Sequence, residues 1–464
     1  MAGLFQGLEA GKSALMAHQT YLQTIGNNIA NVNTPGYTRQ RVEISQNYTV
    51  ATSVGYIGSG VKVTDIIQIK DLFLGEQLRR SNKSLGQWSY KEKVLTQVET
   101  LFNEPADNTL SDHLNEFWDA WDSLSQNPES TTNRQAVLSS ANTMINSFND
   151  LSEQLWRLRD SINMDLASMS DNINEYATEI ANLNEQIRIR EVDGSSANDL
   201  RDARNLLVDK LSEFIDVNTI ESSNGELRVM VGAMEIVNGS EINRISANVT
   251  NEKGRMSHEL VWEGTDIQIT NINGQLKGLV DTRDELIPRY IEELDTLAKS
   301  VIEEVNKIHK SGYGLDGTTG LDFFDTNYLT AGTMRLNNTI ELFPDKIAAS
   351  GSGERGDGTI ALSIQNIRNE RVMLNGSSTI NDYYNSIVGN LGVETSEVIS
   401  LSENYALVVQ QVQNSKESIE GVSLDEEMAN MIKFQHAYDA AARVITTMDE
   451  ALEVVISKMG IVGR

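Results

Sequence analysis

The sequence predicts a mainly α-helical protein with inserted β structure, in which the two chain ends form one helical unit. An amphipathic heptad pattern opens the chain, and a second one closes it. Between them, helical patterns are interrupted by a segment whose apolar residues alternate with a period of two. These observations predict a nested architecture, with a terminal α-helical coiled coil, a body of long bundled helices and a small antiparallel β domain.

The first helix is predicted from large apolar residues placed seven apart. A helix of this size is marginal in water by itself, because most of its stability comes from packing its apolar face. It therefore needs a partner helix. The residues predicted to pack are Leu8, Leu15, Leu22 and Ile29.

An asparagine-rich segment ends this helix. Pro35 fixes its own φ, and Gly36 supplies the positive φ that a type II turn needs at its third position, so Thr34 to Tyr37 is predicted to be a tight turn. The asparagine-rich segment and the turn together include Asn28, Asn31, Asn33, Thr34, Pro35, Gly36 and Tyr37. Strand is predicted next, in the alternating stretch 37–44 and again in 61–69.

Helix dominates from Leu72. No Gly or Pro occurs between Glu129 and Asp193, and apolar residues recur with helical spacing through this stretch. One helix of about 60 residues would be ~90 Å long at ~1.5 Å per residue. Such a rod suits a structural element better than a catalytic pocket. Asn198 to Ile215 is predicted to be an antiparallel return helix.

The period-two segment predicts the β domain, from Val217 to Leu276. Asn-Gly pairs at Asn224-Gly225, Asn238-Gly239 and Asn273-Gly274 adjoin its alternating runs, as expected of hairpin turns.

Helix is predicted again from Leu279 to His309, or from Pro288, because proline is well accepted in a first turn. Gly312 to Asp325 and Met334 to Phe343 predict loop and hairpin. The stretches 358–371 and 380–419 predict helix.

The last helix is predicted from Leu424 to Met459. Acidic Asp425, Glu426 and Glu427 lie in its first turn, where they complement the positive end of the helix dipole. One apolar heptad is often ordinary core, but two at opposite chain ends favour a coiled coil of the termini with each other and with neighbouring subunits. Its predicted packing residues are Met428, Met431, Tyr438, Ile445 and Leu452.

Three nested domains follow from these patterns. The terminal coiled-coil domain takes residues 1–60 and 421–464. The helical body takes residues 61–216, 277–312 and 346–420. The small β domain takes residues 217–276, with 313–345 as a further candidate part.

Composition excludes several classes of function. A net charge of -28 argues against nucleic acid and against an anionic membrane surface, since both need basic residues. No stretch approaches the ~20 apolar residues of a membrane span. The first residues lack the pattern of a cleaved secretion signal. Cysteine is absent, which excludes disulfides and a cysteine nucleophile.

No catalytic or metal-binding pattern emerges. The five histidines are scattered, and the acidic residues of 316–325 depart from the spacing of a calcium loop. We therefore predict no enzyme activity, no metal and no cofactor. The tripeptide Arg355-Gly356-Asp357 leaves a secreted adhesin as an alternative, and a hydrolase within the β insertion is the weakest one.

Both ends resemble a known family. Asn27 to Asn31 and Asn33 to Tyr37 resemble the N-terminal signature of bacterial flagellar rod, hook and hook-associated axial proteins, and Glu426 to Ile445 resembles their C-terminal signature. Three internal features narrow the resemblance to hook-associated members, namely Arg39-Gln40, Phe117 to Pro128 with Arg134 to Val137, and Leu279 to Pro288.

The resemblance implies a structural ring of copies at the junction between flagellar hook and filament. It implies contact with the hook protein on one side and with a second junction protein on the other. It further implies export through the flagellar type III apparatus to the cell exterior without a cleaved signal, and a cytoplasmic chaperone bound to the C-terminal helix. A rod or hook protein is the alternative within the family. The termini are expected to be mobile in the monomer and to order on assembly.

Overall fold

The structure is a computed structural model that describes residues 2–52, 55–102, 108–252, 255–270 and 272–458. The chain is mainly helical with small antiparallel sheets inserted, so the predicted fold class is confirmed. Met459, predicted to end the last heptad, lies outside the described residues, as does the rest of the chain after it.

The helices include the two terminal ones and those of the body. In chain order they are α1 (Ala2–Ala30), α2 (Leu72–Phe102), α3 (Leu110–Gln126), α4 (Thr131–Arg190), α5 (Asn198–Phe214), α6 (Gln275–Asp281), α7 (Ile287–His309), α8 (Asn338–Leu342), α9 (Thr359–Asn366), α10 (Ile380–Glu420) and α11 (Leu424–Glu453).

The strands pair only in antiparallel fashion within the described ranges. They are β1 (Gln40–Gln46), β2 (Thr49–Thr52), β3 (Gly55–Gly58), β4 (Val61–Gln68), β5 (Val217–Glu221), β6 (Leu227–Val231), β7 (Met234–Asn238), β8 (Glu241–Ile242), β9 (Ile245–Glu252) and β10 (Arg255–Trp262). Strands β5 to β8 form one four-stranded sheet in sequence order, and the others form two-stranded ladders.

The long rod is a single helix. α4 runs for 60 residues, and the Ser130 side chain accepts a hydrogen bond from the Asn133 N–H at its start. α5 returns antiparallel along it, since Asn184 contacts Arg204 while Tyr176 packs on Phe214. The predicted rod and return helix are therefore confirmed.

Buried asparagines on the rod attach the β strands to it. The Asn184 side chain donates to the Leu227 carbonyl (2.8 Å) and accepts from the Leu227 N–H (3.0 Å). Asn174 makes the same pair of bonds with Ile245, at 2.7 and 2.8 Å. Asn163 bridges strand β10 in the same way. Each amide takes the place of a neighbouring strand for backbone groups that burial would otherwise leave unpaired.

An aromatic cluster forms the centre of the body. Trp118 and Trp121 of α3 are fully buried, and the Trp121 and Phe323 ring centroids lie 5.2 Å apart with their planes tilted by 62°. Rings of this size dominate the energetics of a core. The tryptophan segment noted in the sequence therefore serves packing.

His309 ends α7 within this cluster. One ring nitrogen lies 2.8 Å from the Leu321 carbonyl oxygen, and the other accepts the Ala348 N–H at 2.9 Å. Burial lowers the pKa of His309 to about 4, so the imidazole is neutral at physiological pH.

Three local predictions need correction. The Asn273-Gly274 pair is not a hairpin turn, because Gly274 directly precedes α6, which begins at Gln275 within the predicted β domain. The helix expected from Leu279 is α6, then a π-helical turn over Thr282–Leu286, then α7, with Pro288 in the first turn of α7. Within the predicted hairpin 334–343, the chain forms α8 instead. Asn337 caps α8 through the Thr339 N–H, and such a cap favours helix over hairpin.

The terminal helices pack together, as predicted. The Asn28 end of α1 meets the Glu427 end of α11, and Gly7 lies opposite Met448, so the two helices are antiparallel. The β1–β4 ladder lies along α1, where the Tyr21 hydroxyl donates to the Val42 carbonyl. The domain boundaries stay a prediction. Because β1 pairs with β4, a terminal domain that includes residues 61–68 keeps this ladder whole.

Candidate functional site

The terminal helix pair, α1 with α11, is close-packed at its outer end because two glycines face the partner helix. A Cβ added to Gly7 would lie 2.9 Å from Met448 Cε, and one added to Gly11 would lie 2.9 Å from Ile445 Cγ1. Both distances are below van der Waals contact. Met448 Cε ends a flexible side chain that can move aside, whereas a larger residue at Gly11 would meet the Ile445 side chain and the Ala441 backbone and would push the helices apart.

Aromatic stacking replaces the glycines near the middle of the pair. The Tyr21 and Phe434 rings are stacked, with centroids 4.0 Å apart and planes 7° from parallel. His18 contacts the same ring at 6.0 Å, and partial burial lowers the pKa of His18. A neutral imidazole suits this mainly apolar seam.

The predicted packing residues lie at or beside this seam. Leu8, Leu15, Leu22 and Ile29 are all half-buried, whereas the most buried apolar side chains of α1 are Ala17 and Ile25. On α11, Met428 is 57 % exposed, and the others of the predicted set are half-buried, namely Met431, Tyr438, Ile445 and Leu452. Whether these residues pack against neighbouring copies stays a prediction.

The residues in contact lie beside the predicted stripe of Leu8, Leu15, Leu22 and Ile29. Gly7, Tyr21 and Asn28 each precede a member of the stripe by one position, and Gly11 and His18 follow one by three, so all five fit the same heptad repeat. Sequence reasoning placed His18 on the apolar face of α1 and Asn28 in the segment that ends it, but it missed Gly7, Gly11 and Tyr21, because glycine does not stand out in an apolar stripe. The spacing itself was the available signal.

The predicted turn forms after α1. The Tyr37 N–H donates to the Thr34 carbonyl at 3.1 Å, and Gly36 has φ 80°. Both features match a type II turn. Asn31 closes the helix by bonding Asn27 through its side chain and by accepting from the Thr34 hydroxyl. Asn33 and Pro35 are exposed.

Asn28 is the centre of a buried polar cluster, which we term the Asn28 hub and define as Asn28, Tyr37, Arg39, Gln40 and Glu427. The Asn28 amide donates to the Gln40 carbonyl (3.0 Å) and to Glu427 (3.2 Å). Its oxygen accepts from the Gln40 N–H (3.0 Å) and the Tyr37 hydroxyl (2.8 Å). One side chain thus joins the end of α1, the turn, the start of β1 and the start of α11.

Ion pairs made by Arg39 complete the hub. Arg39 donates to Glu427 at 2.8 Å and to Glu426 at 2.7 Å. The Glu427 side chain is 3 % exposed, so its charge depends on these bonds. Burial, followed by the nearby acidic side chains, raises the pKa of Tyr37 well above its ordinary value. The Tyr37 hydroxyl therefore stays protonated and can donate to Asn28.

A second contact ties the hub to the body. Asp202 of α5 accepts from the Thr38 N–H (2.9 Å) and from the Gln68 side chain (2.6 Å). Burial raises the pKa of Asp202 to about 6, although the bonds from Thr38 oppose this. The Glu420 carbonyl accepts from the Arg39 N–H at 2.8 Å. Strands β1 and β4 are thereby held on the helical body, through Thr38 just before β1 and Gln68 at the end of β4.

The described part of the chain contains no cluster of metal ligands, and its Arg-Gly-Asp loop is bonded internally. No group of three or more acidic or histidine side chains there is placed to hold a metal ion. Asp357 of the Arg-Gly-Asp tripeptide is bonded within its own loop, accepting from the Gly351 and Ser352 N–H groups at 2.8 Å and from the Thr359 N–H at 2.9 Å. These bonds give the carboxylate a role in holding the loop. Within the described ranges, no helix has the length and apolar character needed to cross a membrane.

Known proteins are similar in sequence to this chain over 96 to 100% of its length. Flagellar hook-associated protein 1 of Bacillus subtilis (strain 168) is 32% identical, with 100% of each chain covered. The chain belongs to the flagellar hook-associated protein 1 family. Members from Escherichia coli (strain K12) and Salmonella typhimurium are 25% and 26% identical, over 96% of this chain and 98% of theirs.

Three family models match successive parts of the chain. The helical domain of flagellar hook-associated protein FlgK matches residues 95–324. The flagella basal body rod protein model matches residues 8–38, and the C-terminal model of the basal body rod FlgEFG proteins matches residues 417–458. The two rod models thus fall on α1 with the turn and on α11.

A solved structure has the same fold. The flagellar hook junction protein FlgK from Burkholderia pseudomallei superimposes with a TM-score of 0.65 at 15% identity, covering 74% of this chain and 100% of that one. Together, these findings confirm the predicted family and the prediction of a structural, non-enzymatic flagellar component.

Proposed function

We propose that the chain is the subunit that joins the flagellar hook to the filament, and that copies assemble through their terminal helix pairs. The observation that carries this proposal is the state of those helices. They are paired within one copy, yet large apolar side chains remain at their surface. These include Phe5 and Met16 on α1 and Met428, Ile432 and Val444 on α11.

Such a surface suits contacts between copies. Exposed apolar residues along one helix pair gain free energy when a neighbour covers them, at roughly 25 cal/mol per Å² of apolar area. The Asn28 hub then gives the assembled pair a fixed attachment to its body. We therefore propose a ring of copies whose terminal helices form the packed layer, with the bodies attached outside it.

Specific partners extend the proposal. One side of the ring would contact the hook protein, and the other a second junction protein. Before export through the flagellar apparatus, a cytoplasmic chaperone would cover the exposed face of α11. Ordering of the termini only on assembly remains a prediction, to be measured by hydrogen exchange on the free chain.

Deleting the gene for this chain tests whether the protein lies at the junction between hook and filament. Cells without this chain should carry hooks that lack filaments and should release flagellin into the medium. Antibody labelling of isolated flagella should mark the boundary between hook and filament. Full filaments on such cells would contradict the proposal, and label along the rod or hook would favour a rod or hook protein.

Matched methionine variants test the route of assembly. Met16→Asp places a charge on the exposed surface of α1, whereas Met164→Asp places one on α4, where the methionine is 68 % exposed against 56 % for Met16. Met16→Asp should be exported but should not incorporate, while Met164→Asp should incorporate normally. Leu22→Asp tests the half-buried leucine stripe in the same assay. Normal incorporation of Met16→Asp and Leu22→Asp would exclude the terminal pair as the packing surface.

A further inference from the structure

The terminal unit, which we define as α1, strands β1 to β4 and α11, meets the body where the chain passes between the two parts. The chain does so twice, in residues 69–71 before α2 and in residues 421–423 before α11. The two passages lie side by side, because the Arg39 carbonyl accepts from the Ile69 N–H (2.8 Å) and the Arg39 N–H donates to the Glu420 carbonyl (2.8 Å). We term this place the joint. A rotation of the terminal unit about it leaves both passages intact.

Helix α5 holds the strands of the terminal unit at the joint. Asp202 accepts from the Thr38 N–H at 2.9 Å and from the Gln68 side chain at 2.6 Å. The Asn198 side chain donates to the Ile66 carbonyl at 2.5 Å. A cavity of about 340 Å³ lies beside Asp202, lined by residues of the turn, α2, α5 and α10. The contact between the terminal unit and α5 therefore includes a carboxylate at the edge of a cavity.

The surroundings of Asp202 do not favour a charge. The residue is 6 % exposed, and both groups that donate to its carboxylate are neutral. The nearby cations pair with Asp209 of α5 instead, Arg79 of α2 at 3.3 Å and Lys416 of α10 at 3.1 Å. An ionised carboxylate that is buried among neutral donors costs free energy, and protonation removes that cost.

Other titratable groups face the same cavity. Lys70, in the passage before α2, favours the ionised form of Asp202, whereas Asp199 on α5 opposes it. Glu420 of α10 is 4 % exposed, and burial raises its pKa in the same way. Tyr37 of the turn stays protonated, because burial raises the pKa of its hydroxyl. Further charged residues of the lining are Lys210 and Glu213 of α5 and Glu417 of α10.

We propose that the joint is a pH-sensitive latch, which closes when Asp202 takes up a proton and opens more readily when Asp202 is ionised. In the open state the strands leave α5, Asp202 reaches water, and the terminal unit turns about the two chain passages. Buried Glu420 acts in the same direction, since its protonation also removes a buried charge from the closed joint. The inference goes beyond the proposed function, because it concerns movement within one copy and does not depend on assembly into a ring.

The direction of the pH effect follows from the carboxylate. Burial is the largest cause of the raised pKa of Asp202, which moves from an ordinary 3.8 to about 6 in the closed joint. The closed joint thus binds this proton more tightly than the open one does. It gains stability as the pH falls through 6 and loses that stability as the pH rises. Between pH 7 and pH 5 the opening equilibrium should therefore fall about tenfold.

Hydrogen exchange on the purified full chain measures the opening. The reporters are the amides of Thr38 and Arg39, whose bonds cross the joint, and each rate is corrected for the intrinsic pH dependence of exchange. In the natural chain, exchange through opening should fall about tenfold from pH 7 to pH 5. Asp202→Asn matches the protonated side chain in shape and charge. This variant should therefore keep the joint closed at both pH values, with no change between them.

A matched variant shows whether the effect belongs to Asp202. Asp171→Asn removes an exposed carboxylate from α4 and should keep the full pH dependence. If Asp202→Asn does not fold, Asp202→Ala takes its place, and the pH dependence should again be lost although the joint opens more at both pH values. The latch is refuted if the natural chain shows no fall, or if the Asp202 variant shows the same fall as the natural chain. Because the measurement uses the free chain, such a result leaves the proposed function standing.

Discussion

Replacing Asn28 by alanine should release the terminal helix pair from β1 while leaving the body folded. The Asn28 side chain makes four hydrogen bonds, two with Gln40 and one each with Tyr37 and Glu427. Alanine makes none of them. The change adds no bulk, so the effect reports the lost bonds and not a clash.

The magnitude follows from which groups lose their partner. The Gln40 N–H and carbonyl lie in a buried residue, and each unsatisfied backbone group costs about 1–3 kcal/mol. The bond to charged Glu427 adds about 1.5 kcal/mol, and the higher helix propensity of alanine offsets about 0.5 kcal/mol. With about 1.5 kcal/mol for each of the two Gln40 groups, these contributions sum to about 4 kcal/mol. The opening free energy of the hub should therefore fall by about 4 kcal/mol, or about a thousandfold in the opening equilibrium.

Hydrogen exchange on the purified chain measures this opening. Amides of residues 38–46 should exchange about a thousandfold faster in Asn28→Ala, while amides of α4 keep their protection. Asn33→Ala is the control, because Asn33 belongs to the same turn segment and is exposed. If the two variants exchange alike across 38–46, the reasoning about the hub is refuted.

Further predictions concern the rod, acid stability and the helix seam. Asn184→Ala should lower the free energy of unfolding in urea by about 3 kcal/mol, because the buried Leu227 N–H and carbonyl lose their partner; a loss below about 1 kcal/mol would contradict this. His309 has a pKa of about 4 in the folded chain, below its ordinary value of 6.5. The stability that its neutral imidazole gives the folded state is therefore complete above pH 6.5 and is lost as the pH falls towards 4. That loss amounts to about 3 kcal/mol, and the tryptophan fluorescence transition of His309→Gln should lack it; an unchanged pH profile would refute the assignment. Gly11→Leu should separate the terminal helices and expose both to trypsin, whereas Gly26→Leu, at a position where an added Cβ has no atom within 4 Å, should not; equal cleavage of the two variants would count against the seam.

Local sequence information predicted those elements whose cause is local. The rod α4 follows from sixty residues without glycine or proline, and the Thr34–Tyr37 turn from Pro35 and Gly36. The error at α8 arose because Asn337 serves equally as a turn residue and as a helix cap. A short segment with both options is decided by what packs over it.

Non-local contacts account for what the sequence did not indicate. Asn163, Asn174 and Asn184 are polar residues within a helical pattern, and their pairing with distant strands depends on where those strands lie. The same holds for Asn28, whose partners include a residue almost four hundred positions away. Nothing in the periodicity of a helix specifies such a partner.

The sequence by itself determined the helical class, the nested order, the pairing of the two ends and the family. These depend on periodicity, turn chemistry and motif, which are written in neighbouring residues. The tertiary structure alone decided the register of α1 on α11 and the convergence of the Asn28 hub. Both depend on the packing of close neighbours, because Gly11 sets how near the helices come and buried Glu427 requires its partners.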